Sequence, residues 1–162
     1  MDKNIVIING TKKKYISRFL KLSKSIMNID SFSSLEIMNK VVEDLDIDIN
    51  SINNAKFLKE LKELILKYNI VSEKTVCEYI NKFYRNNFNT LFLYIGNSKI
   101  EDSLKEKYDI KTLYIKDVSK NNYDYNAISS DYDYVILNTN DDTFDYKSYE
   151  MIREINEIEK SK

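Results

Sequence analysis

Short, unbroken runs of β-branched and aromatic residues constrain this chain most: Ile5-Val6-Ile7-Ile8, Thr90-Leu91-Phe92-Leu93-Tyr94-Ile95 and Tyr134-Val135-Ile136-Leu137. A strand facing water on one side alternates apolar with polar residues. Continuous apolar runs instead predict strands covered on both faces, as in parallel sheets flanked by helices. Asn9-Gly10 ends the first run, and the helical spacing of Tyr15, Ile16, Phe19, Leu20 and Leu22 follows it. The opening therefore reads as a central strand, a basic turn and a helix.

The same alternation continues. Ser25–Asp30 is a candidate second strand, and Ser33 or Ser34 would cap a helix carrying Leu35, Ile37, Met38, Val41, Val42 and Leu45. The polar stretch 46–54 reads as a loop. Phe57, Leu58, Leu61, Leu64, Ile65 and Tyr68 predict one helix, and Val76, Tyr79, Ile80 and Phe83 predict a second from Ser72 or Glu73 to about Arg85. Together they form a helical insertion at about 55–87. Gly96-Asn97-Ser98 separates the Thr90–Ile95 strand from a helix over Ile100–Tyr108, and Lys111–Val118 follows as a strand. After the polar segment 119–130, Tyr134–Leu137 is the last strand, and Tyr149, Ile152, Ile155 and Ile158 mark a C-terminal helix. The expected fold is α/β: one domain over 1–162, with a three-layer parallel sheet of about five strands and flanking helices.

Composition removes much chemistry from such a frame. The chain has 162 residues, no His, one Cys, 2 Gly, and arginine only at Arg18, Arg85 and Arg153. Imidazole bases, Ser-His-Asp triads, His-ligated metals, disulfides and zinc ribbons are excluded. With 25 basic and 26 acidic side chains, no general nucleic-acid-binding surface is implied. No run approaches the ~20 apolar residues of a membrane span, and the start has no secretion signal. A soluble, cytoplasmic protein with an unpaired Cys77 is expected, the cysteine sitting buried or half-buried on its helix. The excess of Lys, Asn, Ile, Asp and Tyr matches the drift of an AT-rich genome.

In a parallel sheet the place to look for a ligand is the turn after the first strand. Gly10, Thr11, Lys12, Lys13, Lys14 and Ser17 are the candidate phosphate-binding residues there. Against G-x-x-x-x-G-K-[ST], Gly10 and Ser17 match, whereas Tyr15 replaces the second glycine and Ile16 the lysine. Two readings stand open: a shortened loop in which Lys13 supplies the charge, or a solvated lysine cluster capping the strand.

The succession Ile5–Gly10, Tyr15–Leu20, Lys56–Leu64, Tyr68-Asn69, Leu91–Ile95, Lys111–Lys116 and Asp131–Asn138 resembles the P-loop kinase-like proteins of phages and low-GC bacteria, relatives of (deoxy)nucleoside monophosphate kinases. That resemblance implies a phosphate loop after the first strand, a helical nucleotide-monophosphate-binding insertion, and a lid at about 119–130. It also implies ATP and Mg²⁺ as cofactors if kinase activity is retained. The departures gather at the phosphate grip: Asn54-Ala55 where an arginine is expected, Gly96-Asn97 where relatives continue Arg-Glu, and a lid segment that contains Lys120 and no arginine at all. Arg85 is the arginine placed where an insertion helix would face a phosphate, and Asp30 is the candidate metal ligand.

Two further acidic stretches carry alternative readings. Asn140–Asp145 lacks the Gly and Glu of a calcium loop and reads as a solvated turn. Tyr123, Tyr125, Asp131, Tyr132 and Asp133 form an acidic, aromatic segment suited to a basic protein partner, or else Tyr132 simply leads into the last strand. The function expected is that of a catalytically degenerate kinase-like protein acting by binding, as an inhibitor of a bacterial defence system or host factor from a phage or mobile element. The alternative is a divergent (deoxy)nucleoside monophosphate kinase using Lys13, Asp30 and Arg85. A protein partner or a nucleotide fits these readings; a membrane or a nucleic acid does not.

Overall fold

The computed structural model describes residues 3–34, 36, 54–67, 72–118 and 131–160. The elements are β1 (Asn4–Gly10), α1 (Lys13–Lys24), β2 (Ile29–Ser33), α2 (Asn54–Lys67), α3 (Glu73–Arg85), β3 (Thr90–Tyr94), α4 (Ser98–Lys107), β4 (Ile110–Asp117), β5 (Tyr134–Asn138) and α5 (Asp141–Lys160). The strands form one parallel sheet in the order β2-β3-β1-β4-β5. The expected α/β architecture is present, with β1 at its centre.

Period-two alternation in doubly covered strands splits each apolar run between two cores. Val6, Ile8, Phe92, Leu113, Ile115 and Ile136 face one side, where Ile16 and Phe19 of α1 and Phe144, Ile152 and Ile155 of α5 cover them. Ile5, Ile7, Leu91 and Leu93 face the other, beneath Val76, Ile80 and Phe83 of α3 and Leu104 of α4. The assignment of helices to faces follows connection handedness. The chain steps one way across the sheet from β1 to β2 and the opposite way from β2 to β3 and from β3 to β4, so right-handed crossovers put α1 on one face and α3 and α4 on the other. Phe19 meets Phe92 edge-on, with ring centroids 5.2 Å apart and planes at 88°.

α3 lies within a layer of the fold, because Val76, Ile80 and Phe83 are fully buried against the sheet. Of the stretch read as an insertion, this half is the connection from β2 to β3. The helix starts at Glu73, within the expected choice of Ser72 or Glu73; Ser72 caps it, accepting from the Thr75 amide at 3.2 Å, and Lys3 closes its far end by donating to the Phe83 and Asn86 carbonyls at 2.5 Å each. Lysine at a helix C-terminus answers the carbonyl end of the dipole.

Two boundaries differ from the sequence reading. β2 begins at Ile29, not Ser25, because Ser25 and Ile26 close the last turn of α1 and Asn28 takes a left-handed φ of 69°. Asn is the non-glycine residue that tolerates this conformation best, and the chain can extend only after it. The acidic stretch at Asn140–Asp145 starts α5 and is not a free turn: Asn140 Oδ1 accepts from the Thr143 amide at 3.0 Å, and Asp141 and Asp142 occupy the first helical turn, where the dipole favours carboxylates. Of the two serines expected to cap the next helix, Ser33 ends β2 and Ser34 is helical, whereas Leu35, residues 37–45, the loop at 46–53 and the lid-like stretch 119–130 lie outside the described residues. Among the described residues no helix is long and apolar enough to cross a membrane.

Candidate functional site

Ligands of open parallel sheets bind beyond the carboxyl ends of strands, where neighbouring connections leave on opposite faces. Here that place is the end of β1: α1 departs on one face, and α4, following β3, departs on the other. The residues gathered there come from the ends of β1 and β4 and from the starts of α1, α4 and α5.

The connection from β1 to α1 is only Thr11-Lys12. Gly10 opens it for a packing reason, since a Cβ at this position would lie 2.7 Å from the Ile115 carbonyl oxygen of β4. The Thr11 amide donates to that same carbonyl at 3.0 Å, and the Thr11 hydroxyl accepts from the Asp117 amide at 3.4 Å. Lys12 precedes the helix without capping it by a side chain, and its Nζ lies 2.7 Å from Asp117 Oδ2. The Asp117 side chain is 5% exposed and the Lys12 side chain 43%, so the ion pair is half sheltered. Its hydrogen bond and charge raise the Lys12 pKa above the ordinary lysine value.

One turn on, Tyr15 and Ile16 are 6% and 1% exposed and belong to the core. The Tyr15 ring packs 5.1 Å from Phe144, and its hydroxyl donates to Asp141 Oδ1 at 2.5 Å. That hydrogen bond, with the charges of Lys14 and Arg18, holds the Asp141 carboxyl below the usual range. Lys13, Lys14 and Ser17 are exposed on α1. Gly10, Thr11, Lys12, Lys13 and Lys14 are thus gathered at one helix start, and Ser17 follows one turn later.

The structure separates the other sequence candidates from this group. α3 runs antiparallel to β3, so its last turn lands where the strands begin, and exposed Arg85 sits at the opposite end of the sheet from Gly10. The six residue steps of β1 make that separation about 20 Å. Asp30 pairs in register with Leu91, and therefore stands level with Ile5, about 16 Å below the end of β1. Its carboxylate accepts from the Tyr79 hydroxyl at 2.9 Å and from the Ser31 amide at 2.8 Å. That carboxylate raises the Tyr79 pKa, after burial has done so to a larger extent.

Of the aromatic, acidic segment, Asp133 ties β5 to β4 by accepting from the Thr112 amide at 2.8 Å and hydroxyl at 3.1 Å. The Tyr132 ring packs 4.8 Å from Tyr114, and Asp131 is exposed. Tyr123 and Tyr125 lie outside the described residues.

One group was not visible from sequence. Glu101, in the first turn of α4, is 7% exposed and accepts from Asn9 Nδ2 at 2.8 Å. Burial pushes its carboxyl pKa up, against the pull of the Asn9 amide and Lys105. Its place in a polar helix, S-K-I-E-D-S-L-K-E-K, resembles a solvated face, and only the sheet register that brings Asn9 beneath α4 identifies it. Among the described residues no group of three or more His, Cys, Asp or Glu could hold a metal ion.

The phosphate-loop motif does not fit this geometry. Its glycine-rich loop uses consecutive free amides, followed by a lysine and a hydroxyl facing the ligand. Here the loop has two residues, the Thr11 amide is spent on β4, and the positions of the second glycine and the lysine are core residues inside a helix. No protein-family model, no curated protein and no solved structure matches the chain.

Proposed function

We propose that this chain is a catalytically degenerate, P-loop kinase-like protein that acts by binding. The observation that carries the reading is the Lys12–Asp117 pair at 2.7 Å across a two-residue β1–α1 connection. Phosphoryl transfer depends on cations and backbone amides directed at the transferring group. A lysine already matched by a carboxylate, beside an amide already bonded to β4, supplies neither without rearrangement. Arg85, at the far end of the sheet, adds nothing to such a grip. By its resemblance to phage and low-GC bacterial proteins, the partner of this reading is a protein of a bacterial host or defence system.

A divergent nucleotide kinase remains the second reading on one specific observation. The start of α1 has no side-chain cap and no acidic residue in its first turn, and Lys13 and Lys14 stand exposed beside it. An anion is favoured at such a helix end.

Calorimetric titration with ATP, ADP and deoxynucleoside monophosphates in Mg²⁺, run beside a phosphate-transfer assay, separates the two. The binding-protein reading expects no transfer and no micromolar nucleotide affinity. Transfer activity, or micromolar affinity abolished by Lys13→Ala, would overturn it in favour of the kinase.

A further inference from the structure

The outer surfaces of α1 and α5 carry opposite charge side by side. α1 contains Lys13, Lys14, Arg18, Lys21 and Lys24 and no acidic residue. Like charges three and four residues apart destabilise a helix, so an all-basic exposed face is a cost that an acidic neighbour would offset. Intramolecular pairing offsets part of it, through Arg18–Asp145 at 2.7 Å and Lys24–Glu36 at 2.8 Å. Lys14, Ser17 and Lys21, at i, i+3 and i+7, share one exposed stripe. The exposed stripe of α5 holds Asp142, Tyr146, Tyr149, Glu150, Arg153 and Glu154, acidic on balance, with Arg153 lying 3.7 Å from Glu150 at an exposed i, i+3 spacing that contributes little. Tyr146 is 68% exposed and Tyr149 39%, on a helix anchored by fully buried Phe144, Ile152 and Ile155. Rigid, exposed tyrosines offer large contact area at little ordering cost.

The two helices lie on the same face of the sheet, both leave carboxyl ends of strands, and both run antiparallel to those strands. Contacts between them step down as rungs, Tyr15 with Asp141 and Arg18 with Asp145. The next rung pairs the level of Lys21 with that of Tyr149 and Glu150.

We propose that this face is a two-fold interface with a second copy of the chain, in which basic α1 of each copy lies on the acidic, tyrosine-bearing α5 of the other. A two-fold axis along the helix direction exchanges the two helices while preserving their levels, so each contact occurs twice. Lys21 of one copy then meets Glu150 of the other. The short Ser17 side chain, between Lys14 and Lys21, leaves a notch for Tyr146. The opposite rotation would set α1 on α1, a like-charge arrangement that the symmetry of charges excludes. Two helices of this length cover less than a standard stable interface, so the dimer is weak and salt-sensitive.

Light scattering coupled to gel filtration, loaded at about 100 µM, tests the proposal. The expected result is twice the chain mass at ~50 mM salt and the monomer at ~500 mM. Lys21→Glu alone and Glu150→Lys alone should each give monomers, since each places two like-charge pairs in the interface. An equimolar mixture of the two variants restores both opposite-charge pairs and should dimerise at low salt. Both substitutions are at exposed positions, and dimerisation of the mixture itself demonstrates that both variants are folded. A wild type that stays monomeric at low salt overturns the proposal. So does a dimer that survives Lys21→Glu, or a mixture of the two variants that does not associate.

Discussion

Gly10→Ala separates two explanations of why glycine ends the first strand. A phosphate-loop glycine is required by its ligand, and replacing it would leave the ligand-free protein intact. In this structure the added methyl would meet the Ile115 carbonyl oxygen at 2.7 Å, Ile16 Cγ1 at 3.2 Å and Ile115 Cβ at 3.3 Å. Ordinary contact begins near 3.4 Å, so β1 and β4 must separate by about 0.7 Å at their carboxyl ends. The atoms in the worst clash are backbone on one side, and no rotamer change can relieve them. The Thr11–Ile115 hydrogen bond, 3.0 Å long, would stretch past useful length with the same movement. Overpacking costs about 1–3 kcal/mol and the lost hydrogen bond about 1 kcal/mol, a total on the order of 2–4 kcal/mol. For a chain of this size that is a fall in Tm of roughly 5–15 °C. Thermal and urea unfolding followed by far-ultraviolet circular dichroism, without nucleotide, measures it. A variant within about 0.5 kcal/mol of wild type would refute the packing explanation and return Gly10 to a ligand-dependent role.

Three further outcomes follow from particular contacts. Glu101→Gln keeps an oxygen to accept from Asn9 but removes a buried charge. Because the folded-state pKa of Glu101 is raised, its contribution to stability falls as pH rises from the ordinary carboxylate value through the folded value. The variant should therefore melt above wild type at pH 7, with the difference vanishing near pH ~4; equal melting at both pH values counts against a buried carboxylate. Lys12→Met leaves the Asp117 carboxylate without its 2.7 Å partner and should lower Tm at neutral pH, while adding Asp117→Asn should recover part of the loss. Additive losses in that double-mutant cycle would mean that the pair does not interact. At Asn28, with φ of 69°, glycine should be neutral or slightly stabilising and valine should cost about 1–2 kcal/mol in urea unfolding; equal stability of the two would contradict the left-handed backbone.

How much of this was legible from sequence depends on the range of the interaction concerned. β1 and β3 announce themselves because burial on both faces forces continuous apolar runs, and β4 and β5 through shorter apolar stretches, Leu113-Tyr114-Ile115 and Tyr134–Leu137, signals contained within each segment. The Ser72 cap is local in the same sense. β2 was misplaced because Ser25–Asp30 and Ile29–Ser33 overlap in composition, and a single left-handed Asn28 decides between them. α5 began earlier than its apolar spacing indicates, because its first turn is acidic and reads as loop until Asn140 is seen to cap it. The candidate site was legible only in its local part. Gly10 through Lys14 are neighbours in sequence and remain neighbours in space. Arg85 and Asp30 could be assigned to that group only by assuming which end of the sheet they occupy, and the direction of α3 and the register of β2 put both elsewhere. Asp117, Asp141 and Glu101 join the group from 90 to 130 residues away in sequence, by strand order alone.

That origin bears on what the end of the sheet can do. A phosphate loop works as a surplus: amides and a lysine with no partner until an anion arrives. In this chain most of the corresponding loop has partners within the fold, Gly10 and the Thr11 amide with Ile115, Lys12 with Asp117, and the Tyr15 hydroxyl with Asp141, while Lys13 and Lys14 stand exposed. The partners come from β4 and from the start of α5, so the same contacts that deny the loop a free grip also fasten three central elements and the C-terminal helix to one another. Opening the loop for an anion would therefore loosen the attachment of α1 to α5, so any anion bound there is coupled to how firmly the C-terminal helix holds the sheet.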